Sequence, residues 1–481
     1  MTYDLVLANG RVIDPETGLD AIRDVGITGG VIRAVSDVPL EGTRRLDVGG
    51  LVVAPGFIDL HSHSADLAGH RLQAMDGVTT VLELEAGAYP VSRAYRQAEL
   101  EGRPLNYGFS TSWAAARMAV LAGVDPNATL TELLANIGLP AWQQPGNAEA
   151  TARIVAMLEK DLADGALGIG ILVGYAPKAD PAEYLAVAAL AARAGQPTYT
   201  HARELIEQDP DTPIDGAEEI VRAAAETGAH MHYCHVNSTS IRHVDRVLAL
   251  VEKVRREGSR VTTEAYPYGA GMTGVGAAFL APELLHRRGL SPHSIGPLSG
   301  GRYGSAEELA AAREREPGSS VFVHLLDEED PAQFAFIQRA LAFEDAAVAT
   351  DAVPLIRTPD PAAWPLPANA ASHPRTAGTY GRVFRQLVRE QAILSLPEAI
   401  RRCSYVPATI VPALGRKGRI QPGMDADITV IDPETAGDRA SYSDTVRPSD
   451  GFRHVLVNGS FVVRDGDLLP QSLPGRPVRA G

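Results

Sequence analysis

Cysteine is almost absent from this 481-residue chain: only Cys234 and Cys403 occur, far apart and in apolar surroundings. That excludes a disulfide framework and a cysteine-type zinc knuckle, and it fits a reducing compartment. Long hydrophobic runs are missing too, with no stretch approaching the roughly 20 apolar residues that a membrane-spanning helix needs. The opening "MTYDLVLANGRVID" lacks the basic and then apolar pattern of a signal peptide, so the expected location is cytoplasmic. Excess positive charge is absent as well. A formal net charge of −15 argues against nucleic acid or an anionic membrane surface as partner and leaves a small molecule as the expected one. No internal repeat or low-complexity tract is present. The chain is otherwise ordinary globular material, 45% hydrophobic and 21% charged, which excludes disorder. Its length suits a large barrel plus an accessory piece and leaves a homo-oligomer open.

The two ends share one style. Residues 1–54 carry short alternating runs, "DLVLANGRVID", "DVGITGGVIRAVS" and "RRLDVGGLVVAP", with Asn-Gly and Gly-Gly between them, a pattern of antiparallel hairpins. Residues 415–481 repeat it in "DADITVID" and "HVLVNGSFVVRDG", with an Asn-Gly turn at Asn458 and Gly459. The two ends are therefore expected to form one split β-domain. Between them, over residues 55–414, short apolar strands alternate with helical stretches. The expected strands are "GFIDLHSH", "GVTTVLELE", "GALGIGILVGY", "PTYTHARE", "MHYCHVNS", "RVTTEAYPY", "VFVHLL" and "AAVATDAVP". Such alternation implies a parallel sheet with crossover helices, and about eight strands close most simply into a (β/α)8 TIM barrel with its polar side chains at the C-terminal strand ends. A loop-rich insertion is expected near 282–318, and "RTPDPAAWPLPANAAS" reads as a long loop over the barrel mouth.

His61 and His63 lie two apart at the end of the first barrel strand, where period-2 geometry points both side chains the same way. Further polar residues arrive at other strand ends: His201 in "YTHARE", His235 in "HYCHVN" and Asp351 in "VATDAVP". This is a nitrogen and oxygen ligand set suited to Zn²⁺ or a similar divalent ion. Five ligands exceed the need of one tetrahedral ion with an open site. Two cations roughly 3.5–4 Å apart need an anionic bridge between them. Glu83 and Glu85 share one face of the second strand, with Glu85 nearer its C-terminal end. A buried carboxylate is costly unless cations neutralise it, so Glu85 is the expected bridge and Glu83 the second choice or a supporting group. The alternative is that the glutamates turn outward to solvent.

The order and spacing of "APGFIDLHSHS", "DGVTTV", "GALGIGILVGYAP", "THARE", "EAYPYGAGMTG", "HPRTAGTYGRV", "LSLPEAIRRCSYVPA" and "GRIQPGMDADITVIDP" resemble the amidohydrolase superfamily, and within it the N-acyl-D-amino-acid deacylase branch. The likeness spans nearly the whole chain. It implies a (β/α)8 barrel with a small β-sandwich built from both chain ends. It also implies metal ligands at H-x-H on strand one, histidines on strands five and six, and an aspartate on strand eight, which map onto His61, His63, His201, His235 and Asp351. Many relatives bridge the metals with a carboxylated lysine on strand four, but "GALGIGILVGY" has no lysine, pointing away from the dihydroorotase-like and hydantoinase-like groups. Two departures from the branch stand out. Where relatives end strand two with a "GNCG"-like, metal-binding cysteine, this chain has "LEAG"; where they carry a lysine that engages the substrate carboxylate after the strand-six histidine, it has Asn237, the candidate substrate-binding residue at that place.

The expected activity is hydrolysis of the amide bond of N-acyl-D-amino acids, with water acidified by the cation as nucleophile and the carbonyl polarised by it. Asp351 is placed to accept the proton from that water and pass it to the leaving nitrogen. Tyr175 and Tyr266, the latter with Tyr268, are candidates for orienting substrate or oxyanion. Arg375 has the planar fork suited to a substrate carboxylate, as the family position suggests. His324 and His373 are candidates to line the pocket, while His70, His230, His232, His243, His286, His293 and His454 read as structural or surface residues. Cys234 should point away from His235 as a buried thiol. Two alternatives remain: a hydrolase of another small amide, dipeptide or cyclic amide on the same site, and a non-catalytic ligand-binding barrel.

Overall fold

The computed structural model describes residues 2–481 except 128, 359 and 361. The N-terminal end forms β1 (Tyr3–Asp14), β2 (Leu19–Thr28), β3 (Val31–Ser36), β4 (Gly42–Asp47) and β5 (Val52–Pro55). Gly29 and Gly30, at φ +61° and +76°, form the tight turn between β2 and β3. The Asn9-Gly10 pair departs from expectation. It lies inside β1 as a bulge, with Asn9 at φ +63° and the register against β2 slipping between Leu7 and Gly10. A left-handed residue serves a bulge as well as a turn, and the pairing partners beyond it decide which forms.

The barrel strands follow: β6 (Phe57–Asp59), β7 (Val78–Ala88), β8 (Asn106–Ser112), β9 (Ile169–Ile171), β10 (Thr198–Thr200), β11 (Met231–Tyr233) and β12 (Val261–Ala265). Next come β13 (Ala270–Gly274), β14 (Ile295–Pro297) and β15 (Ser320–His324), then β16 (Ala346–Val348). The parallel sheet has the order β16-β12-β11-β10-β9-β8-β7-β6, the strands of a (β/α)8 barrel. Two expectations need correction. "VFVHLL" supplies β15 of a separate antiparallel sheet, ordered β13-β15-β14, and is not a barrel strand. The strand it displaces is β8, "NYGFSTS", whose polar residues hide it from a hydrophobic search. They are satisfied internally: the Ser110 hydroxyl donates to the Leu84 carbonyl at 2.5 Å, and the Thr111 hydroxyl to Asp161 Oδ2 at 3.0 Å. The span 282–318 is correspondingly more ordered than a loop, containing β14 and the helix Ala306–Arg315.

The crossover helices form where the sequence caps them. Asp180 accepts the Ala182 N–H at the start of Pro181–Ala194, which Gly195 ends at φ +64°. Asp215 caps Gly216–Thr227, ended by Gly228 at φ +71°. Residues 357–372 hold no helix or strand among the described positions. At the C-terminal end β17 (Ile428–Ile431), β18 (Phe452–Val457), β19 (Ser460–Arg464) and β20 (Asp467–Leu468) complete the sheet β20-β19-β18-β17-β5-β1-β2-β3, with β4 on β1. Asn458 and Gly459, at φ +48° and +77°, make the expected turn. Pairing of β5 with β17 joins the two ends over a core that includes Leu5, Leu7, Val25, Val53, Ile428 and Leu456. Each such fully buried aliphatic side chain contributes about 1.5–3 kcal/mol.

Packing divides the chain into two compact units. One comprises Met1–Leu82, Arg96–Gly108 and Asp345–Val478; the other comprises Glu83–Tyr95, Phe109–Glu344 and Arg479–Gly481. Within the first, β6 pairs with β7, and Ser62 beyond β6 bridges Ala352 beyond β16 in parallel sense. Within the second, β8 to β12 pair successively, all parallel. Among the described residues, no helix is long and apolar enough to cross a membrane.

Gly170 in β9 permits a close approach of backbones: a Cβ there would come within 2.3 Å of the Glu85 carbonyl oxygen and 2.5 Å of that of Leu84. Gly170→Ala is expected to cost roughly 1–3 kcal/mol through forced strand separation, seen as a lower midpoint of thermal unfolding. An unchanged midpoint would show that the strands part freely.

Candidate metal centre

Glu85 is the last inward carboxylate of β7, His201 follows β10 directly, and His235 lies just beyond β11. Glu83 and Glu85 are 6% and 3% exposed, so the solvent-facing alternative does not hold. Glu85 Oε1 lies 2.7 Å from His235 Nε2 and 3.1 Å from His201 Nδ1. Ligand atoms of these three side chains all fall within 4.8 Å of one another. The two imidazole rings meet edge to face with centroids 4.7 Å apart. His235 adopts φ +31°, a left-handed conformation that L-residues occupy at a cost of about 1–3 kcal/mol. Its Nδ1 is 3.1 Å from the Ser238 hydroxyl, which orients the ring and directs Nε2 toward Glu85. One buried carboxylate and two neutral-capable imidazoles, convergent and preoriented, fit a divalent cation of the zinc type.

The expected substrate residues of this unit surround that trio. The Tyr175 ring lies 4.7 Å from that of His201, and its hydroxyl is 2.8 Å from Thr273 Oγ1. The Tyr266 ring lies 6.4 Å from that of His235. Asn237 donates to the Tyr266 carbonyl at 3.2 Å and accepts its N–H at 3.4 Å, tying the segment after β11 to the one after β12. Arg203 of "THARE" was not singled out in the sequence, yet it braces the segments that follow β9 and β10. Its fork grips Glu219 at 2.7 and 2.9 Å, and Nη1 donates to the Pro177 carbonyl at 2.6 Å. Cys234 is buried and reduced. His324 stands on β15, its imidazole pushed down to about 4 by burial and by Arg302.

A second set of convergent groups belongs to the other unit. His61 and His63 bring their Nε2 atoms within 3.2 Å of each other, and Asp351 Oδ1 lies 3.5 Å from each. Arg375, fully buried, reaches Asp351 Oδ2 at 2.9 Å. Asp351 is also left-handed, at φ +48°. His373 accepts the Arg375 N–H on Nδ1 at 3.1 Å, so it supports the arginine's backbone.

Asp59 organises this set and was missed by the sequence reading. It accepts the His61 N–H at 3.2 Å, the Thr350 N–H at 3.0 Å, the Thr350 hydroxyl at 2.5 Å and the Gln73 amide at 2.7 Å. One carboxylate thus laces the end of β6 to the end of β16. Burial raises its carboxyl to about 6, and the bonds from Thr350 and His61 pull it back. The available signal was parity: Asp59, His61 and His63 alternate in "DLHSH" and share a face.

Behind His235 runs a buried polar chain. Glu264 lies 3.1 Å from His232 Nε2, His232 Nδ1 is 2.9 Å from Thr262 Oγ1, and that oxygen is 2.8 Å from His230 Nε2. Burial, aided by Arg260, pushes the His230 imidazole down to about 2. The unfolded chain takes up a proton there below about pH 6.5, so the stability is full above that pH and is lost as pH falls, by up to about 1.4 kcal/mol per unit.

Two outcomes check this geometry. Glu85→Ala is expected to reduce bound zinc per chain and weaken its affinity by about 10-fold or more, measured by metal analysis and chelator competition; unchanged binding would remove Glu85 from the ligand set. His230→Gln, which keeps a donor for Thr262, is expected to lose less stability than the wild type between about pH 6.5 and 5 in urea titrations. Parallel losses would contradict the neutral, buried imidazole.

Comparison with known proteins agrees with this architecture. The profile of the amidohydrolase family matches residues 45–346 and 239–463. An N-acyl-D-glutamate deacylase of Alcaligenes xylosoxydans xylosoxydans is 29% identical over 99% of this chain and 96% of its own length. A D-aminoacylase of the same organism is 28% identical over 96% and 94%. Among solved structures, the N-acyl-D-glutamate deacylase of Bordetella bronchiseptica, complexed with zinc and a phosphonate inhibitor, superposes with TM-score 0.77 at 24% identity, covering 100% of both chains. With matches over most of its length, the chain belongs to the amidohydrolase family.

Proposed function

We propose that the protein is a metal-dependent amidohydrolase that cleaves the amide bond of N-acyl-D-amino acids, with His61, His63, Glu85, His201, His235 and Asp351 as ligands of one or two divalent ions, zinc foremost. The observation that carries this reading is the convergence of the half-buried His201 on the buried Glu85 and His235 in a chain similar over nearly its full length to deacylases of N-acyl-D-glutamate and to D-aminoacylase. A divalent ion held there supplies acidified water and a Lewis acid for the amide carbonyl.

The chain's own residues provide the rest. Asp351 accepts a proton from the attacking water at Oδ1 and returns it to the leaving nitrogen, which must depart as an amine. Arg375 holds the other oxygen, fixing which edge of the carboxylate faces the reaction. A guanidinium carries five N–H donors, so the same fork also serves the substrate carboxylate. Tyr175, held by Thr273, orients the acyl group, while Tyr266, fixed through its backbone by Asn237, walls the site beside His235. The two cysteines are buried and free, in keeping with a cytoplasmic setting.

Amine release from N-acetyl-D- and N-acetyl-L-amino acids, with acidic and apolar side chains, tests this with zinc-loaded enzyme. Turnover is expected for D substrates, and Asp351→Asn should lower kcat by roughly 10²–10⁴. Absence of turnover across the panel would move the activity to another small amide.

A further inference from the structure

We propose that Glu264 is a positioning residue for His235, holding that imidazole in place through its backbone N–H, with His232 as the strut behind the carboxylate. The inference rests on His235 being a metal ligand, as proposed above.

The strand ladder explains why such a group is needed. β10 and β11 pair in register up to Thr200 and Tyr233, and the Cys234 N–H still donates to the Thr200 carbonyl at 3.1 Å. At the next residue the backbone turns left-handed, with His235 at φ +31°. A buried N–H at that point requires an acceptor. Glu264 Oε1 supplies it at 3.3 Å, from a side chain only 1% exposed. The left-handed turn swings the imidazole toward Glu85, so whatever holds the N–H also sets where Nε2 lies.

The other carboxylate oxygen is fixed in turn. Oε2 accepts from His232 Nε2 at 3.1 Å, and His232 is fully buried on β11. His232 and Thr262 are registered neighbours on β11 and β12, so the chain through Thr262 to His230 lies across adjacent strands. With His230 neutral, a consistent set of donors runs one way: His230 Nε2–H to Thr262, the Thr262 hydroxyl to His232 Nδ1, and His232 Nε2–H to Glu264. A barrel does not bury a carboxylate and two imidazoles without compensation, and the chain terminates on the backbone of a candidate ligand.

Two conservative variants of the full-length protein separate position from charge. Glu264→Gln keeps an oxygen for the His235 N–H, and its amide donates to His232 Nε2 if every bond of the chain reverses direction. Glu264→Asp keeps the charge but is one methylene too short to reach the N–H. Zinc affinity is read by competition with a chromophoric chelator, alongside the circular dichroism of the metal-free protein. The expected result is E264Q within about threefold of wild type and E264D weaker by about 10-fold or more, both with wild-type spectra. The reverse order, with E264D near wild type and E264Q weak, would assign the effect to charge and overturn the proposal. So would two variants that both bind as wild type or that are both equally weak. His235→Ala is the control on the underlying reading: if it binds zinc as wild type does, His235 is not a ligand, whatever the Glu264 variants do.

Discussion

A carboxylate buried in a barrel strand must be met by positive charge or by donors, because leaving it unpaired costs several kcal/mol. Within its unit Glu85 has His235 Nε2 at 2.7 Å and His201 Nδ1 at 3.1 Å. The surrounding structure follows from keeping it there. Gly170 lets β9 lie close to the Glu85 backbone, the left-handed turn at His235 brings Nε2 to the carboxylate, and Ser238 fixes the ring. Arg203 and Glu219 brace the loops that carry Tyr175 and His201. None of these residues needs to touch a substrate to matter. Each removes a degree of freedom from three side chains that, as the proposed ligands, would otherwise have to be ordered on binding a cation.

The other unit solves the same problem with different parts. Two histidine nitrogens and an aspartate oxygen converge, and Asp59 supplies the bracing by joining the ends of β6 and β16. Arg375 offsets the Asp351 charge on the oxygen that does not face the histidines. As the proposed proton carrier, Asp351 would gain from having one oxygen committed, since the other then presents a defined direction to water and leaving group. The left-handed backbone at both Asp351 and His235 places strain where pre-organisation is most useful.

Much of this convergence was legible in the sequence because histidines and carboxylates at strand ends show themselves by type and parity. His61 and His63 two apart, and Glu83 and Glu85 two apart on an otherwise apolar strand, are local signals that need no tertiary knowledge. The hairpin at Asn458 was local in the same sense. What stayed hidden depends on partners distant in sequence. β8 looks like a polar loop until Leu84 and Asp161 are brought to it. "VFVHLL" has the composition of a barrel strand and pairs elsewhere, because periodicity does not choose a partner. Asn9 needed the continuing ladder with β2 to become a bulge. Asp59, Arg203 and Glu264 are ordinary charged residues in sequence whose meaning comes from what they hold.

The central claim is that Glu85 serves with His201 and His235 as a metal ligand. Anomalous diffraction at the zinc edge from crystals of zinc-loaded protein tests it most directly. The account predicts a peak within about 2.0–2.3 Å of a Glu85 carboxylate oxygen and of an imidazole nitrogen from each histidine. A peak bound by the histidines with the Glu85 carboxylate turned away would contradict it.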